Sequence, residues 1–570
     1  MKRDHSPHIC TGVVLLWAAA GLAVASCSTA NVAEVEASVV PQTCTGAATC
    51  LTDSAVYACQ GGEVAGLLDD CGAKGQVCSL ARCTSLNCQS AETNTNSLIG
   101  CLFYTVEAEN VDADQTAATS FLVTNPGDDP AAVEIQLPSA PGSGGASQWL
   151  AGMVTQVASG ASGRLVPGAA VVVPRGVGTI PASAIRISSD RPVTVSEIES
   201  DDANESATST GGTVVLPLQS LGVDYRAVTY PQAGTQAILA TPGSRGGAGR
   251  VIIVGTQMST AINLSPVGPV TAALGGGVDA LDVGDDFPIV LNDGDVFQIY
   301  TGADGEDLTG SRVTSNRPIA VFSGNISTTY GSEVTGINSP DMAHEQMPPI
   351  VTWSQTYVAA ALTPQASVGC TSLFGSDGAS IWRVLASTDG TTVTFEGPAA
   401  ATLNLLPPNG VAEPLAGPLT LDAGGAASLI GAGSFTVIAT SPVLVTQGLD
   451  CEPSLSLAIA ADAGALIKDL SFALLPNFDQ LLAIVRPMGT VVVLDDTPLP
   501  DSVFQSAGAG FEVGEVSLVA CPPAAGACTH HLTAVKGFGL TVRGMDVQSS
   551  YALTAPALVG CDPVYEVCVN

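Results

Sequence analysis

"TSNRPIAVFSGN", residues 314–325, decides the fold, because similar stretches occur before and after it at a nearly constant interval. The other two copies are "SSDRPVTVSEIE" at residues 188–199 and "ATSPVLVTQGLD" at residues 439–450. Their prolines, Pro192, Pro318 and Pro442, are about 125 residues apart. Each copy has a polar turn, then a proline that cannot donate to a sheet ladder and suits the first position of a strand, then alternating apolar residues. The pattern predicts one β-strand per copy of a repeated unit.

Two further features recur at the same interval. The pairs Leu216-Pro217, Met347-Pro348 and Leu475-Pro476 are expected to open successive units. Polar turns between two alternating runs, as in "VIIVGTQMSTAINLSP", indicate a hairpin in each unit. Units of about 110 to 130 residues with many short strands suit antiparallel sandwiches, whereas a propeller blade needs roughly 40 to 50 residues. Packing of adjacent units into one larger sheet assembly would give the same sequence pattern.

The sequence therefore predicts an all-β chain, in which tandem antiparallel β-sandwich-like repeats follow a small disulfide-rich N-terminal module. The expected ranges are a signal peptide at 1–26, a linker at 27–43, the Cys-rich module at 44–101, and β repeats at 102–210, 211–335, 336–455 and 456–570.

The charge balance excludes one class of partner. The chain carries 52 acidic and 18 basic residues, a formal net charge of −34 at pH 7. A surface of this sign repels phosphate backbones and anionic membrane surfaces, so we expect no nucleic-acid partner.

The N-terminus has the features of an export signal. Lys2 and Arg3 precede the apolar run "GVVLLWAAAGLAVAS", which is too short for an ordinary membrane-spanning helix. The run ends in "VASC", which resembles the lipobox of bacterial lipoproteins and marks Cys27 as a lipid-anchored first residue. Ser28 next to it resembles outer-membrane sorting. The alternative is a plain signal peptide cut near Ala25, so we expect an outer-membrane or cell-surface lipoprotein, or else a secreted protein.

Fourteen cysteines remain after Cys10 in the signal and Cys27 are set aside, an even number that favours disulfides in an exported chain. Eight of them fall within fewer than sixty residues: Cys44, Cys50, Cys59, Cys71, Cys78, Cys83, Cys88 and Cys101. Their connectivity is left open. The default pairs elsewhere are Cys521 with Cys528, Cys561 with Cys568, and Cys370 with Cys451.

Candidate catalytic and metal residues are few. His344-Glu345 begins like a zinc-protease motif, but Pro348 stands where the second histidine ligand belongs and would break the required helix. We therefore expect the pair to lie in the lead-in to a strand, without a metal. His530 and His531 are adjacent, would point to opposite faces of a strand, and are expected in a surface loop after Cys528.

Acidic turns are the remaining candidates for ion binding. Asp282, Asp285, Asp286, Asp304 and Asp307 could supply oxygen ligands to Ca²⁺, although Asp beside Gly is also what β-turns require. Neither a nucleophile elbow nor a phosphate-binding loop occurs. The sequence predicts no catalytic residue and no cofactor, with calcium as the weaker alternative.

Four stretches in fixed order carry a resemblance. They are "SSDRPVTVSEIE", "DLTGSRVTSNRPIAVFSGN", "HEQMPPIVTW" and "GFGLTVRGMDVQSSYAL". Together they resemble the N-terminal domain of the IgGFc-binding protein family, over roughly residues 101–560. The resemblance implies a non-enzymatic extracellular binding or adhesion protein with a protein or glycan ligand. The alternative function is an extracellular hydrolase of glycans or peptides that uses the carboxylates of the acidic loops.

Overall fold

The structure is a computed structural model. It describes residues 48–60, 63–80, 82–95, 97–110, 119–139, 148–167, 171–199, 210–232, 247–271, 280–328, 341–362, 379–406, 412–451, 454–476, 478–519, 521, 526–545, 550–555, 561–562 and 567–568. The described residues belong to one compact unit, Thr43–Asn570. The predicted signal peptide, the predicted lipid anchor Cys27, and Cys44 and Cys370 lie outside the described residues, so the Cys370–Cys451 pair stays a prediction.

The N-terminal module is small and is held together by disulfides. Its elements are β1 (Ala48–Thr52), β2 (Ala55–Gln60), β3 (Glu63–Asp70), a 3-10 turn (Gly72–Lys74), β4 (Val77–Ser79), β5 (Arg82–Thr84) and α1 (Leu86–Glu92). Its bonds are Cys50–Cys78, Cys71–Cys83 and Cys88–Cys101, and Cys59 is disulfide-bonded as well. Cystine sulfurs make up much of its core beside Val56, because so short a segment buries little apolar surface.

Four large antiparallel sheets follow the module, which confirms the all-β prediction. The first contains β6 (Gly100–Thr105), β7 (Ser120–Thr124), β8 (Ala131–Pro138), β9 (Trp149–Leu150), β10 (Val154–Val157), β11 (Ser162–Leu165), β13 (Ile185–Glu199) and β14 (Gly211–Val215). The second contains β12 (Gly178–Ile180), β15 (Gly222–Arg226), β16 (Gly249–Gly255), β17 (Thr260–Ser265), β18 (Phe287–Leu291), β19 (Val296–Tyr300), β20 (Arg312–Thr328) and β21 (Asp341–Gln346).

The third and fourth sheets complete the chain. The third contains β22 (Ser354–Ala359), β23 (Ala379–Ala386), β24 (Thr391–Glu396), β25 (Asn404–Leu405), β26 (Glu413–Pro414), β27 (Leu419–Leu421), β28 (Ala426–Ala432), β29 (Phe435–Cys451), β30 (Ser454–Ile459) and β31 (Ala461–Asp462). The fourth contains β32 (Ile467–Leu474), β33 (Asp479–Pro487), β34 (Val492–Leu494), β35 (Thr497–Pro498), β36 (Phe504–Gly508), β37 (Phe511–Leu518), β38 (Cys528–Met545) and β39 (Ser550–Ala555). A final pair is β40 (Cys561–Asp562) with β41 (Val567–Cys568), and further 3-10 turns lie at Leu218–Ser220, Ile350–Thr352, Pro398–Thr402 and Asp501–Val503.

Each sheet consists mostly of strands from one predicted repeat range, together with a strand from a neighbouring range. β12 belongs to the first predicted range but pairs with β19 of the second sheet. The independence of the four ranges as domains stays a prediction. Cys521 and Cys528 form a disulfide at the start of β38.

Each sheet is organised by one long strand of 15 to 18 residues: β13, β20, β29 or β38. In β13 the first half pairs with β6 and β8, and the second half pairs with β7 and β14. Pro192, Pro318 and Pro442 lie inside the first three of these strands, so their predicted place at a strand's first position was wrong. The ladder between β13 and β6 is interrupted between Ser188 and Val193, where a residue without an N–H breaks no hydrogen bond.

The Leu-Pro and Met-Pro pairs also differ in their roles. Leu216-Pro217 and Met347-Pro348 lie just before the 3-10 turns that lead into β15 and β22, as expected for the start of a unit. Leu475-Pro476 follows β32 instead. The link from β31, which pairs with β22 in the third sheet, to β32 of the fourth sheet contains no proline.

After each long strand, a short strand runs back along its second half. These return strands are β14, β21, β30 and β39. Each contacts the next, and the fourth contacts the first. Gly211 lies against Met342 and His344 of β21, while Gly212 lies against Tyr551 and Leu553 of β39. The four sheets are therefore closed into a ring around the return strands.

The hydrophobic cores are shared between neighbouring sheets. The largest cluster includes Leu102 of the first sheet, Phe322 of the second and Leu540 of the fourth. A second cluster joins the second and third sheets, and a further cluster joins the third and fourth. Because burial of apolar surface is the main stabilising contribution, closure of the ring and stability of each sheet are coupled.

A hairpin turn at an equivalent place in three sheets packs on the preceding sheet. Ser183 and Ala184 both donate their backbone N–H to the Gly294 carbonyl at 3.1 Å. Gly424 of the third sheet packs on Gly310 of the second. Thr436 Oγ1 of the third sheet donates to the carbonyl of Ala507 in the fourth at 3.0 Å.

Gly310→Ala tests the packing between the second and third sheets. Gly310 has φ +96°, and a Cβ there would lie 2.1 Å from the Gly424 carbonyl oxygen. Gly305→Ala is the matched control, since its φ is +82° and nothing lies within 4 Å of its Cβ position. We expect each variant to lose about 1 kcal/mol from the positive φ. Gly310→Ala should lose roughly 1 to 3 kcal/mol more, because its added Cβ would clash with the Gly424 carbonyl. Denaturant unfolding measures both, and equal losses would contradict the packing described.

One ion pair also crosses from the second sheet to the third. Arg383 Nη1 lies 2.7 Å from Asp307 Oδ2, and Asp307 Oδ1 accepts hydrogen bonds from Thr229 Oγ1 at 2.6 Å and from the Thr309 N–H at 2.9 Å. Burial alone would raise the pKa of Asp307, but the Arg383 charge and these hydrogen bonds outweigh it and hold the pKa below its ordinary value. The pair therefore stabilises the folded chain above the ordinary carboxyl pKa.

Asp307→Asn should lower the free energy of unfolding at pH 7 by about 3 kcal/mol, because Arg383 loses its buried partner. The difference in unfolding free energy between wild type and variant should narrow as pH falls below about 4, because Asp307 of the unfolded wild type takes up a proton there, and it should close only below the lowered pKa of folded Asp307. Asp304→Asn is the control, because Asp304 is exposed and its Oδ1 accepts one hydrogen bond from Gln232. Urea titrations at several pH values measure the gap, and a pH-independent difference would argue against the ion pair.

Candidate functional site

A group of buried ionisable side chains lies where the first and second sheets meet at the ring. We call Glu107, Glu197, Glu199, Arg250 and His344 the central cluster. Exposed fractions are 7% for Glu107 and at most 1% for the other four. Charged groups are rarely enclosed to this degree, so the cluster is the most unusual chemical feature of the described residues.

Two of the carboxylates are placed by the alternation of β13. Val193 and Val195 face the core, and Glu197 and Glu199 continue the same face because side chains repeat every second residue along a strand. Glu199 Oε1 accepts the Ala108 N–H at 2.7 Å, and its Oε2 accepts the Thr119 hydroxyl at 2.6 Å.

Glu197 is held from the other side. Its Oε2 accepts the Thr105 hydroxyl, and one oxygen of its carboxyl group lies within 4.8 Å of one oxygen of Glu199. Two carboxyl groups this close do not both ionise readily when no cation lies between them. Glu197 Oε1 has no hydrogen-bond partner among the described residues.

Arg250 and His344 come from the second sheet. Arg250 donates from Nη1 to the Glu109 carbonyl, and its Nη2 lies 3.5 Å from His344 Nδ1. The His344 ring stacks on Phe322 with centroids 5.2 Å apart and planes 2° from parallel. His344 Nε2 is buried without a hydrogen-bond partner in the described part of the chain.

Burial sets the protonation of the cluster. Burial raises the pKa of Glu197, helped by the neighbouring Glu199 charge, and burial also raises the pKa of Glu199. Burial and the Glu199 charge raise the pKa of Glu107 to about 8. Burial, with the Arg250 charge, lowers the pKa of His344 well below its ordinary value. The imidazole is therefore neutral at pH 7 and available as a ligand.

Glu345 takes no part in the cluster. His344 and Glu345 lie within β21, not in the lead-in to a strand as expected, and adjacent strand residues face opposite sides. Glu345 Oε1 accepts the Thr213 hydroxyl at 2.7 Å, and burial raises the pKa of Glu345 well above its ordinary value.

The calcium candidates do not converge. Asp285 Oδ2 accepts the Asp282 N–H at 2.9 Å, and Asp286 Oδ1 accepts from Asn263 and Ser265. These are turn-stabilising contacts, and Asp304 and Asp307 lie on a separate turn. Within the described ranges, the one group of three ionisable ligands close enough to share an ion is Glu197, Glu199 and His344, whose ligand atoms lie within 4.8 Å of one another.

His530 and His531 lie in β38, which corrects the predicted surface loop. They pair with Phe472 and Ser471 of β32, so a strand continues through them. His530 Nδ1 lies 2.7 Å from Asp495 Oδ2, and His531 Nε2 lies 3.0 Å from Asp469 Oδ1. The two rings contact different carboxylates and do not form one site.

Sequence reasoning missed the central cluster except for His344. A signal was present in "VTVSEIE", where Glu197 and Glu199 occupy the positions that an alternating strand buries. Arg250 directly precedes the apolar run "VIIVG", and this position was a second signal. Their approach to His344 depends on contacts between two sheets, which spacing along the chain does not encode.

The cluster is enclosed, so its side chains do not reach a substrate outside the protein. It can hold protons or an ion, and it joins two sheets. Over the described residues, no helix has the length and apolar character needed to cross a membrane.

Comparison with known protein families gives a match over much of the ring. No curated protein shows significant similarity to the chain. The family model described as IgGFc binding protein matches residues 211–544, which begin at the first residue of β14 and end within β38. The match therefore covers the second sheet except β12, the third sheet and most of the fourth, which is more than half of the sequence, and the chain belongs to the IgGFc binding protein family.

Proposed function

We propose that the chain is a non-enzymatic binding protein of the cell surface or the extracellular medium, which holds an extracellular protein partner on exposed turns of the ring. The observation that carries the proposal is the family match, which spans most of three sheets. Disulfides in the N-terminal module and in the fourth sheet are in keeping with an oxidising, extracellular location.

The arrangement of acidic groups supports binding over hydrolysis. A hydrolase of glycans needs two carboxyl groups that face each other across a substrate. Glu197 and Glu199 are enclosed, while Asp286 accepts hydrogen bonds from β17 and Asp307 accepts one from its own turn. No observation favours the hydrolase alternative.

We place the partner surface on the turn that precedes β18, within the matched region. Asp282, Asp285 and Asp286 are exposed there, and Val283 and Val290 are 64% and 65% exposed. β18 is the edge strand of its sheet. Exposed apolar side chains among like charges, on a chain with net charge −34, suit a partner with a basic surface.

Binding of the purified full chain to a panel of extracellular proteins and glycans tests the function. The Fc fragment of immunoglobulin G is one member of the panel because the family description names it. We expect saturable binding to at least one protein, weakened by salt through screening of the charges. Saturable binding confined to glycans, or none to any protein of the panel, would count against the proposal.

The double variant Asp282→Asn with Val283→Ser should weaken that binding severalfold, because it removes a charge and an apolar contact without touching the core. Asp128→Asn is the matched control, since Asp128 is exposed on the first sheet outside the matched region. Equal affinities for the double variant and wild type would place the partner elsewhere on the surface.

The membrane anchor is a separate part of the proposal. We propose that Cys27 carries the lipid, because "VASC" ends a short apolar run after Lys2 and Arg3. Cys27→Ala should move the exported chain from the membrane fraction to the soluble fraction. Release of the wild type into the medium, with an N-terminus other than Cys27, would show that the signal is a plain one.

A further inference from the structure

We infer that Glu197, Glu199 and His344 form a binding site for a divalent transition-metal ion, which links the first sheet to the second at the centre of the ring. One ligand atom from each residue lies within 4.8 Å of the other two. A single ion between them would contact two carboxylate oxygens and one imidazole nitrogen.

The site differs from the zinc-protease motif that the sequence excludes. Pro348 removes a second histidine on the same element, and the proposed site does not require one. Its other two ligands come from β13, on a different sheet. Adjacent Glu345 is bonded to Thr213 and is not a ligand.

Two buried atoms indicate that a ligand belongs in the cluster. Glu197 Oε1 and His344 Nε2 have no hydrogen-bond partners in the described part of the chain, and both side chains are at most 1% exposed. A buried polar atom without a partner costs about 1 to 3 kcal/mol, so native proteins seldom leave two of them together. Coordination to one cation satisfies both atoms.

The surrounding contacts hold the ligands in place, as outer contacts do in metal sites. The Ala108 N–H and the Thr119 hydroxyl fix Glu199, the Thr105 hydroxyl fixes Glu197, and Phe322 fixes the His344 ring. Arg250 Nη2 lies 3.5 Å from Nδ1, beyond normal hydrogen-bond length, so this contact does not hold the imidazole proton on Nε2. We assign Nε2 to the ion because it has no hydrogen-bond partner in the described part of the chain.

The ligand set favours Zn²⁺ or Mn²⁺ over Ca²⁺. Imidazole nitrogen binds transition metals, and carboxylate oxygens accept both Zn²⁺ and Mn²⁺. Ca²⁺ takes six to eight oxygen ligands, whereas one of the three ligands described here is an imidazole nitrogen.

The alternative occupant of the same space is a proton shared by Glu197 and Glu199. Glu197→Gln distinguishes a bound metal ion from a shared proton. The glutamine amide can donate a hydrogen bond to the Glu199 carboxylate in place of the shared proton, so a proton-sharing pair would tolerate the change. A metal site would lose a charged ligand.

The experiment measures the metal content of the purified full chain by elemental mass spectrometry after expression with Zn²⁺, Mn²⁺ or Ca²⁺ in the medium. We expect one equivalent of Zn²⁺ or Mn²⁺ per chain in the wild type. Glu197→Gln and His344→Asn should lose it, while the control Glu345→Gln, a buried change on the same strand, should retain it. Metal retained by both ligand variants would overturn the proposal.

A second measurement uses only the wild type and so does not depend on the folding of variants. Prolonged chelation during partial unfolding, followed by refolding with disulfides intact, should lower the melting temperature, and added Zn²⁺ or Mn²⁺ should restore it. A wild type that carries no stoichiometric transition metal, and whose melting temperature is unchanged by chelation and by both ions, would show that the site holds protons instead. Stoichiometric Ca²⁺ alone would also overturn the assignment.

Discussion

Closure of four sheets around the return strands is the constraint on which the rest of the structure depends. Each long strand pairs with one set of strands along its first half and with another set along its second half, which reaches the centre of the ring. The return strand that follows then has one neighbouring sheet on each side. Every residue at the centre must pack against its own neighbouring strand and also against the next return strand. This leaves little room for a side chain at Gly211 and Gly212.

The four long strands meet this constraint with different polar side chains. Seven residues after the proline of the repeat stands Glu199 in the first sheet and Asn325 in the second. The Asn325 amide is fully used, since it donates to the carbonyls of Tyr230 and Gly247 and accepts the Tyr230 N–H. In the third sheet Gln447 donates to the Ser380 hydroxyl at 3.0 Å. Among the side chains whose burial the structure describes, two acidic ones of one long strand, Glu197 and Glu199, lie at this depth in the first sheet, which distinguishes its junction with the second chemically.

Much of the fold could be predicted from the sequence, since it is encoded locally. Alternating apolar residues, turn residues and the interval of about 125 residues between prolines indicate strands and their repetition. The ring could not be predicted, because contact of β14 with β39 joins residues more than three hundred positions apart. Pro192 was misplaced for a related reason. A proline suits the start of a strand or an irregularity within one, and only the pairing partners decide between them.

The closed ring also limits how the length of such a protein can change in evolution. An open stack of repeats gains or loses a copy with little harm, since the ends are free and the added surface resembles what was there before. Here a fifth sheet would have to separate β39 from β14, and the loss of one sheet would expose core residues such as Phe322 and Leu540. Duplication or deletion of a single copy is therefore disfavoured, and variation in length is confined to the turns and to the two termini.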